Sequence, residues 1–403
     1  MISDHYRQQW RQVLSSNEPA ACRELAEELA YTVLDRHFFN DRFESEAVGL
    51  LCEMATAFAD KEMNQIAASA LFGIIVESLC DDFEEMQSAA YNHLMSFILD
   101  YCSKLPNGEA LGQRMQQFGM HNFEDLFRRV ERLRKTSCNY RELPSAPQKI
   151  LVLSRVTIGA DVAVVSVLVQ RLARTFPDAE IVVIGGDKVN AMICGHPRVR
   201  TRTVSYARRG GLMERLLSWF KVLEVVDDEL AGLKPEQYLV ADPDSRLSQL
   251  GVLPLVADSS YLFFNSRSSH SYPLNLSISE MVNYWYNQKT AERDSCTPAV
   301  WLKPSVITHA RNALEPLRSN SQRYLISVNL GVGGNSRKRI DDEFEQILIL
   351  ELLKDPQVVV LLDKGFGPEE LERSNKLLQA GLDAGYKVAG TSFGELGAVA
   401  TDA

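Results

Sequence analysis

The chain's most distinctive chemical groups lie in a glycine-rich turn between residues 329 and 340. An apolar run over 324–328, typical of a short buried strand, leads directly into this turn. The turn carries three glycines and ends in three consecutive cations: Gly331, Gly333, Gly334, Arg337, Lys338 and Arg339. Glycines let backbone N–H groups approach an anion closely, and the N-terminus of the helix predicted from Asp341 adds partial positive charge. The segment therefore predicts a diphosphate site. The alternative interpretation is an ordinary strand–helix turn with solvated cations.

Asp161 is the candidate for acid–base chemistry. It follows an apolar run over 150–154 and begins the next predicted helix. Ligands of an open α/β sheet bind beyond the carboxyl ends of its strands, so Asp161 is expected at the edge of a binding cleft. One interpretation is a helix N-cap, which stabilises a helix by about 1 kcal/mol. The other is a general base, and position alone favours the cap.

A third polar group follows the apolar run over 238–241. It consists of Asp242, Asp244 and Arg246. Two carboxylates and a guanidinium at a sheet edge suit hydrogen bonds to sugar hydroxyls or to an acceptor phosphate. The alternative is a capped turn with an internal Asp–Arg pair. The basic pair Arg208-Arg209 beside an apolar stretch raises the further hypothesis of contact with a membrane or a phosphorylated acceptor, against that of an exposed loop.

The elements that must position these groups alternate between strand and helix. Strands are predicted at 149–154, 180–185, 238–241 and 261–265, with a helix over 162–176 between the first two. A second set has strands at 324–328, 357–362 and 387–389. Such apolar strands separated by helices predict parallel sheets covered on both faces.

Residues 1–140 differ in character from the rest and are predicted to be an all-helical domain. The predicted organisation is this domain, a linker, an α/β domain over 149–300 and a second over 324–403. The net charge of −10 lies mostly in residues 1–140, which hold 13 Lys and Arg against 22 Asp and Glu. Nucleic-acid binding is therefore not expected. The acidic surface is either a solvated face or a surface for a protein partner.

Cysteine and histidine usage argues against metal and disulfide chemistry. The seven cysteines form no Cys-x-x-Cys pair, and the seven histidines form no His-x-x-x-His pair. These features predict a reducing, cytoplasmic setting and no metal site. The N-terminus lacks the layout of a signal peptide, and no uninterrupted apolar run reaches the ~18 residues of a membrane span.

Several segments, taken in order, resemble the ADP-heptose:lipopolysaccharide heptosyltransferase family. Arg-Val-Thr-Ile-Gly-Ala-Asp at 155–161, then Phe-Pro-Asp-Ala-Glu-Ile at 176–181, is similar to the opening of that family's catalytic half. Later motifs are similar in Asn-Leu-Gly ending at Gly331, in Lys338-Arg339, in Gly-Pro-Glu-Glu ending at Glu370 and in the helix predicted from Ser392. The resemblance covers about residues 149–403.

The resemblance implies the GT-B arrangement, a pair of Rossmann-like domains, here preceded by the all-α domain. It implies an inverting transfer of a heptose or similar sugar, without metal or cofactor, from an ADP-heptose-like donor to a glycan, lipid-linked, lipopolysaccharide-core or protein acceptor at the inner face of the plasma membrane. Asp161 would be the base. The turn residues from Gly331 to Arg339 would hold the diphosphate. Glu370 would contact the donor, and the group at 242–246 the acceptor.

The sequence also departs from the family pattern. Ala160 replaces a glycine, Val167 replaces a proline, and Ile340-Asp341 replaces Trp-Pro. The family's Asp-Ser-Gly-x-x-His segment has no counterpart before Ala403, and a break there would leave a strand edge unpaired, so a fragment with an incomplete second domain is expected. The alternative function is a catalytically inactive GT-B-like module in which the helical domain recruits partners. A dinucleotide-dependent oxidoreductase is less consistent, because neither glycine turn has the Gly-x-Gly-x-x-Gly spacing.

Overall fold

The computed structural model describes residues 2–80, 84–141, 143–206, 210–268, 271–317, 324–331, 339–365, 368–386 and 389–391. The chain divides into two compact units, Met1–Ala299 and Val300–Ala403. The first contains the helical region and a five-stranded sheet, and the second contains a three-stranded sheet. The predicted α/β class with a helical N-terminal region is confirmed.

The described residues up to 135 form helices. They are α1 (Ile2–Ser16), α2 (Pro19–Asn40), α3 (Ser45–Met54), α4 (Lys61–Ser69), α5 (Glu77–Cys80), α6 (Glu85–Ser103), α7 (Glu109–Gln117) and α8 (Phe123–Lys135), with a π-helical stretch at Ala70–Val76. Pro19 stands in the first turn of α2, where its missing N–H costs no hydrogen bond. The Asn122 side chain accepts a hydrogen bond from the Asp125 backbone and caps α8.

One helical run in the described residues, Lys61–Cys80, is long and apolar enough to cross a membrane by length and composition. Half of its apolar window is buried inside the protein. Leu71 and Ile75 in this run are fully buried in the hydrophobic core of the first unit. This is the burial pattern of a core helix.

The sheet of the first unit is wholly parallel. Its strands are β1 (Lys149–Leu153), β2 (Glu180–Gly185), β3 (Val199–Thr203), β4 (Tyr238–Asp242) and β5 (Tyr261–Phe263), in the order β3-β2-β1-β4-β5. The accompanying helices are α9 (Ile158–Ala160), which continues through a π-helical turn at Asp161–Val165 into α10 (Ser166–Thr175), then α11 (Asp187–Ile193), α12 (Leu212–Leu230) and α13 (Ile278–Thr290). The carboxyl ends of β1 and β4 are adjacent, as the pairing Val152↔Ala241 shows.

The sequence missed one strand. The residues of β3, Val-Arg-Thr-Arg-Thr, alternate apolar or small with charged side chains and are half-buried or exposed. This strand lies at the edge of the sheet, and its arginines pair with acidic residues such as Glu229. Continuous apolar runs are typical only of strands that are buried on both faces, so this pattern does not predict β3. The predicted strand at 261–265 is also shorter, ending at Phe263.

The helical region and the first sheet share one hydrophobic core. Arg114 of α7 donates hydrogen bonds to the backbone of Pro254 and pairs with Asp227 of α12. Arg129 of α8 donates to the carbonyl of Gly251. These contacts hold the helices against the segment that connects β4 and β5. The boundaries predicted at 140 and 149 lie inside this compact unit and stay a prediction.

The second unit carries a smaller parallel sheet. Its helices and strands are α14 (Pro304–Leu314), β6 (Tyr324–Val328), α15 (Asp342–Leu353), β7 (Val358–Asp363), α16 (Pro368–Asp383) and β8 (Ala389–Thr391), with the sheet order β6-β7-β8. Ile349, Val360 and Leu377 form a core between the sheet and the two helices α15 and α16. The strand predicted before the Gly331 turn and the helix predicted after it are therefore both present.

Candidate functional site

Asp161 lies beyond the carboxyl end of β1 and is 2% exposed. Its Oδ1 accepts a hydrogen bond from the Arg155 backbone N–H at 2.7 Å, and its Oδ2 accepts one from Ser154 Oγ at 2.8 Å. Ser154 Oγ also accepts from the backbone N–H of Val156, whose φ of 60° is strained for a β-branched residue. The carboxylate therefore fastens a strained turn at the sheet edge, and such strain often accompanies a functional site.

The N-cap interpretation of Asp161 is wrong. The helix begins at Ile158, so Thr157 occupies the cap position and Asp161 lies one turn inside. Its own N–H donates to the Thr157 carbonyl at 2.9 Å. The sequence placed the helix start too late, because Ile158-Gly-Ala has no feature that distinguishes a turn from a first helical turn.

Burial raises the pKa of Asp161 to about 6, although the hydrogen bonds from Arg155 and Ser154 act in the opposite direction. Desolvation outweighs these hydrogen bonds. The carboxylate is still mostly ionised at pH 7. A pKa close to the working pH is the property that a general base needs.

Asp242 and Asp244, predicted to contact an acceptor, are both buried and engaged within the protein. Asp242 accepts from the backbone N–H of Ser245 at 2.7 Å and from the hydroxyl of Tyr261. Asp244 accepts from Ser266 Oγ at 2.6 Å and forms an ion pair with Arg267. These carboxylates stabilise the turn after β4. The alternative interpretation predicted such a turn with an internal Asp–Arg pair, but the arginine of the pair is Arg267 and not Arg246.

The two carboxyl groups have opposite pKa shifts. Burial raises the pKa of Asp242 to about 6. Burial also opposes ionisation of Asp244, but the positive charges of Arg267 and Arg155 outweigh it and hold the pKa of Asp244 below its ordinary value. The Asp244 φ of 63° lies in the left-handed region, so the ion pair also holds a strained backbone.

Arg246 lies against the helical region. Its guanidinium stacks over the ring of Tyr91 in α6, 5.6 Å from the ring centroid. The Tyr91 hydroxyl donates to Gln249 Oε1 at 3.1 Å, and Tyr91 is almost fully buried. A residue 155 positions away in the sequence therefore positions Arg246 beside the sheet edge. The Arg246 side chain forms no ion pair among the described residues.

Sequence reasoning gave no role to Arg155, which follows Ser154 directly. It is 8% exposed, and its guanidinium donates no hydrogen bond to any described residue. Burial lowers the pKa of Arg155, while the nearby charges of Asp244, Asp242 and Asp161 act to raise it. A buried guanidinium beside Asp161, with donors that no described residue engages, is suited to bind an anionic or hydroxyl-rich group. The sequence feature that could have identified Arg155 is its place as the first residue of the 155–161 motif.

In the second unit, the glycine turn follows β6, and the first residues of the turn contact the carboxyl end of β7. Asn329 Oδ1 accepts from the Gly331 N–H at 2.8 Å, and Asn329 Nδ2 donates to Asp363 Oδ2 at 2.8 Å. A Cβ built on Gly331 would lie 3.2 Å from Asn329 Oδ1 and 3.2 Å from a carboxylate oxygen of Glu370. A side chain at this position would be tight against both groups, and Glu370 stands beside the turn.

Arg339 pairs with Asp342 in the first turn of α15, and the N-terminus of that helix is capped by Asp341. Arg373 of α16, which the sequence did not single out, donates to Glu345 at 2.6 Å and to the Leu330 carbonyl at 3.3 Å. Burial, then the charge of Arg339, lowers the pKa of Arg373, so the two guanidinium groups are neighbours. Two cations thus stand near the turn, and both already pair with carboxylates of α15.

Several predicted site residues lie outside the described residues. These are Gly333, Gly334, Lys338, Arg208, Arg209 and the segment from Ser392 to Leu396. Among the residues that the structure describes, no group of three or more His, Cys, Asp or Glu side chains is arranged to hold a metal ion.

No protein-family model matches the chain, and no curated protein matches it. Two solved glycosyltransferase structures are similar to it. One is a glycosyl transferase of family 9 from Veillonella parvula, with 15% identity, a TM-score of 0.49, and coverage of 65% of this chain and 75% of that chain. The other is the E. coli heptosyltransferase WaaC with ADP, with 16% identity, a TM-score of 0.35, and coverage of 57% of this chain and 72% of that one. At these identities, the matches do not equate individual residues.

Proposed function

We propose that the chain is an inverting, metal-independent glycosyltransferase. It moves a heptose or similar sugar from a nucleoside-diphosphate donor to a glycan, lipopolysaccharide-core or protein acceptor. The observation that supports this most is the Asp161 carboxyl, which is buried beyond the carboxyl end of β1 with its pKa raised to about 6. The order of the motifs around it, from Arg155 to Glu370, supports the same class.

In this mechanism Asp161 removes the proton from an acceptor hydroxyl. The hydroxyl oxygen forms a bond to the anomeric carbon of the donor sugar, and the bond from that carbon to the diphosphate oxygen breaks. The nucleoside diphosphate leaves with the electron pair, and the configuration at the anomeric carbon inverts because attack and departure occur on opposite faces. Ser154 Oγ and the Arg155 N–H hold the carboxylate in one orientation, so that its remaining lone pairs face the acceptor.

Charge on the leaving diphosphate must be neutralised by fixed donors. We assign this role to the Gly331 turn with Lys338 and Arg339. Support comes from the position of the turn at the carboxyl end of β6 and from the close approach that Gly331 permits. Arg373 adds a second guanidinium next to Arg339. The Glu370 carboxylate beside Gly331 is suited to accept hydrogen bonds from hydroxyl groups of the donor.

We propose Arg155 and Arg246 as the contacts to the acceptor in place of Asp242 and Asp244, because both of these carboxylates are bonded to other groups of the protein. All seven cysteines are free thiols, which fits the proposed cytoplasmic setting. Contact with the inner face of the plasma membrane through the segment around Arg208, and a protein partner for the helical region, remain proposals.

Transfer itself is tested with purified full-length protein. ADP-heptose and a truncated lipopolysaccharide core are incubated with the protein, with chelator present, and the anomeric configuration of the product is determined by NMR. Inversion in the presence of chelator is expected. Retention of configuration, or activity that depends on added metal, would refute the proposed mechanism.

Replacing Arg339 and Lys338 by alanine should weaken nucleoside-diphosphate binding. Loss of a charge-assisted phosphate contact typically removes ~1.5–3 kcal/mol, or roughly tenfold to a hundredfold in affinity. Calorimetric titration of ADP measures this. The matched control is Lys376→Ala, an exposed cation on α16 that pairs with Glu372. Unchanged ADP affinity in both turn variants would exclude the diphosphate site.

A further inference from the structure

A cavity in the first unit is lined by residues other than Asp161 and its hydrogen-bond partners. Its volume is about 340 Å³, and it opens between the end of α8, the segment that follows it and the edge strand β5. Its polar lining consists mainly of Arg132, Asn139, Tyr140, Arg141, Asp258 and Lys289. The volume is sufficient for a small metabolite, and the lining is rich in positive charge.

The charges of the described residues around this cavity do not balance. Among its described lining residues, Asp258 is the only acidic one. Both of its oxygens are already used, because Oδ1 accepts from Arg129 at 2.7 Å and Oδ2 accepts from Arg132 at 2.6 Å. Arg141 and Lys289 are thereby left without a carboxylate partner in the part of the chain that the structure describes.

The buried lysine makes this imbalance costly. Lys289 is 6% exposed, and its Nζ donates to the Thr136 carbonyl at 3.1 Å. Arg141 donates to the Tyr261 carbonyl at 2.9 Å. Backbone carbonyls are dipoles and supply no full negative charge. A buried ammonium normally has an ionic partner, because desolvation of an unpaired charge is unfavourable.

We propose that this cavity binds a small oxyanion, the phosphate or carboxylate group of a small molecule, between Lys289 and Arg141. Lys289 supplies a buried ammonium, and Arg141 supplies a guanidinium whose planar donors match such an anion. The amide of Asn139 and the hydroxyl of Tyr140 at the same cavity suit the polar remainder of the ligand. None of the residues that line this cavity has a role in the proposed sugar transfer.

The protonation of Lys289 supports this assignment. Burial, then the neighbouring charge of Arg141, lowers the pKa of Lys289 to about 8, while Cys138 acts in the opposite direction. A bound anion would favour the charged ammonium and raise this pKa again. Binding at pH 8 should therefore be accompanied by proton uptake, and affinity should fall as the pH rises above 8.

The experiment is calorimetric titration of the full-length protein at constant ionic strength with sulfate, glucose 6-phosphate and citrate. Saturable binding of at least one probe is expected. Preference for glucose 6-phosphate would identify an organic phosphate, and preference for citrate would identify a carboxylate. Sulfate does not titrate near pH 8, so its binding heats in two buffers of different ionisation enthalpy measure proton uptake by Lys289.

Two variants decide the outcome. Lys289→Met and Arg141→Gln should each weaken binding by about tenfold or more, and Lys289→Met should also abolish the proton uptake. The control is Arg128→Gln, which removes the same charge from an exposed position of α8 one turn before Arg132. If Lys289→Met does not fold, because the contact with Thr136 is lost, Arg141→Gln decides alone. Absence of binding to the parent, or equal affinity in the cavity variants, would overturn the proposal.

Discussion

Replacing Asp161 by asparagine is expected to abolish most sugar transfer while the protein stays folded. Asparagine preserves the shape of the side chain, and its carbonyl oxygen can still accept from the Arg155 N–H, while its amide can donate to Ser154 Oγ. It cannot accept a proton from the acceptor. Loss of a general base typically lowers the rate by ~10²–10⁴. Steady-state kcat of the purified full-length variant measures this loss.

Stability provides the control for this variant. The folded-state pKa of Asp161 is raised, so its ionised form is less favourable in the folded protein than in the unfolded chain. The resulting loss of folding stability is fully present above about pH 6, and it disappears as the pH falls toward the ordinary pKa of an aspartate. The neutral asparagine should therefore leave the melting temperature at pH 7 unchanged or raise it. An inactive variant that also unfolds early would point to a structural role, and turnover within a few-fold of the parent would exclude Asp161 as the base.

The pH profile of the parent offers a related criterion. Protonation of Asp161 should lower kcat/KM as the pH falls through about 6. Asp242 has a similarly raised pKa, so the profile alone does not identify the group. The residual activity of Asp161→Asn should lack this acidic limb. If the limb persists in that variant, the titrating group lies elsewhere.

The strands that carry the candidate site could be predicted because they are buried on both faces. Runs such as those of β1 and β2 are continuously apolar, and the structure places them within a residue of the prediction. The polar edge strand β3 carries no such signal. Its place in the sheet depends on pairing with β2 and on ion pairs with α12, both of which join residues far apart in the sequence.

The sequence identified the candidate site residues by their positions after predicted strands, and it did not predict the residues that contact them. Asp161 and Arg246 lie at the carboxyl ends of strands, which the strand–helix alternation locates. The hydrogen bond from Tyr261 to Asp242 and the stacking of Arg246 on Tyr91 depend on how distant elements pack. For this reason the sequence predicted that Asp242 contacts a substrate, whereas in the folded protein its carboxylate accepts hydrogen bonds from Ser245 and Tyr261. Arg155 is a candidate because it is buried beside Asp161 and its guanidinium donates to no described residue, and neither property can be predicted from the sequence.

Arg267→Ala is expected to destabilise the protein strongly. It would leave Asp244 buried beside the sheet edge with its principal ionic partner removed. Breaking a buried ion pair by removing one partner typically costs about 3–5 kcal/mol, because the remaining charge is desolvated and uncompensated. The Asp244 backbone, at a φ of 63°, loses a support at the same time. Urea unfolding of parent and variant at pH 7 measures the difference in free energy of unfolding.

The pH dependence and a double variant separate the ion pair from simple loss of packing. The pKa of Asp244 is depressed in the folded parent, so the stability it contributes is present above the ordinary aspartate pKa and is lost as the pH falls through the folded value. The destabilisation in Arg267→Ala should thus shrink toward acid pH, and Asp244→Asn should restore part of the stability when combined with it. The control Arg174→Ala breaks an exposed pair with Asp294 and should change stability by less than about 1 kcal/mol. A pH-independent loss in Arg267→Ala, with no recovery in the double variant, would show that packing of the arginine and not its charge supports the turn after β4.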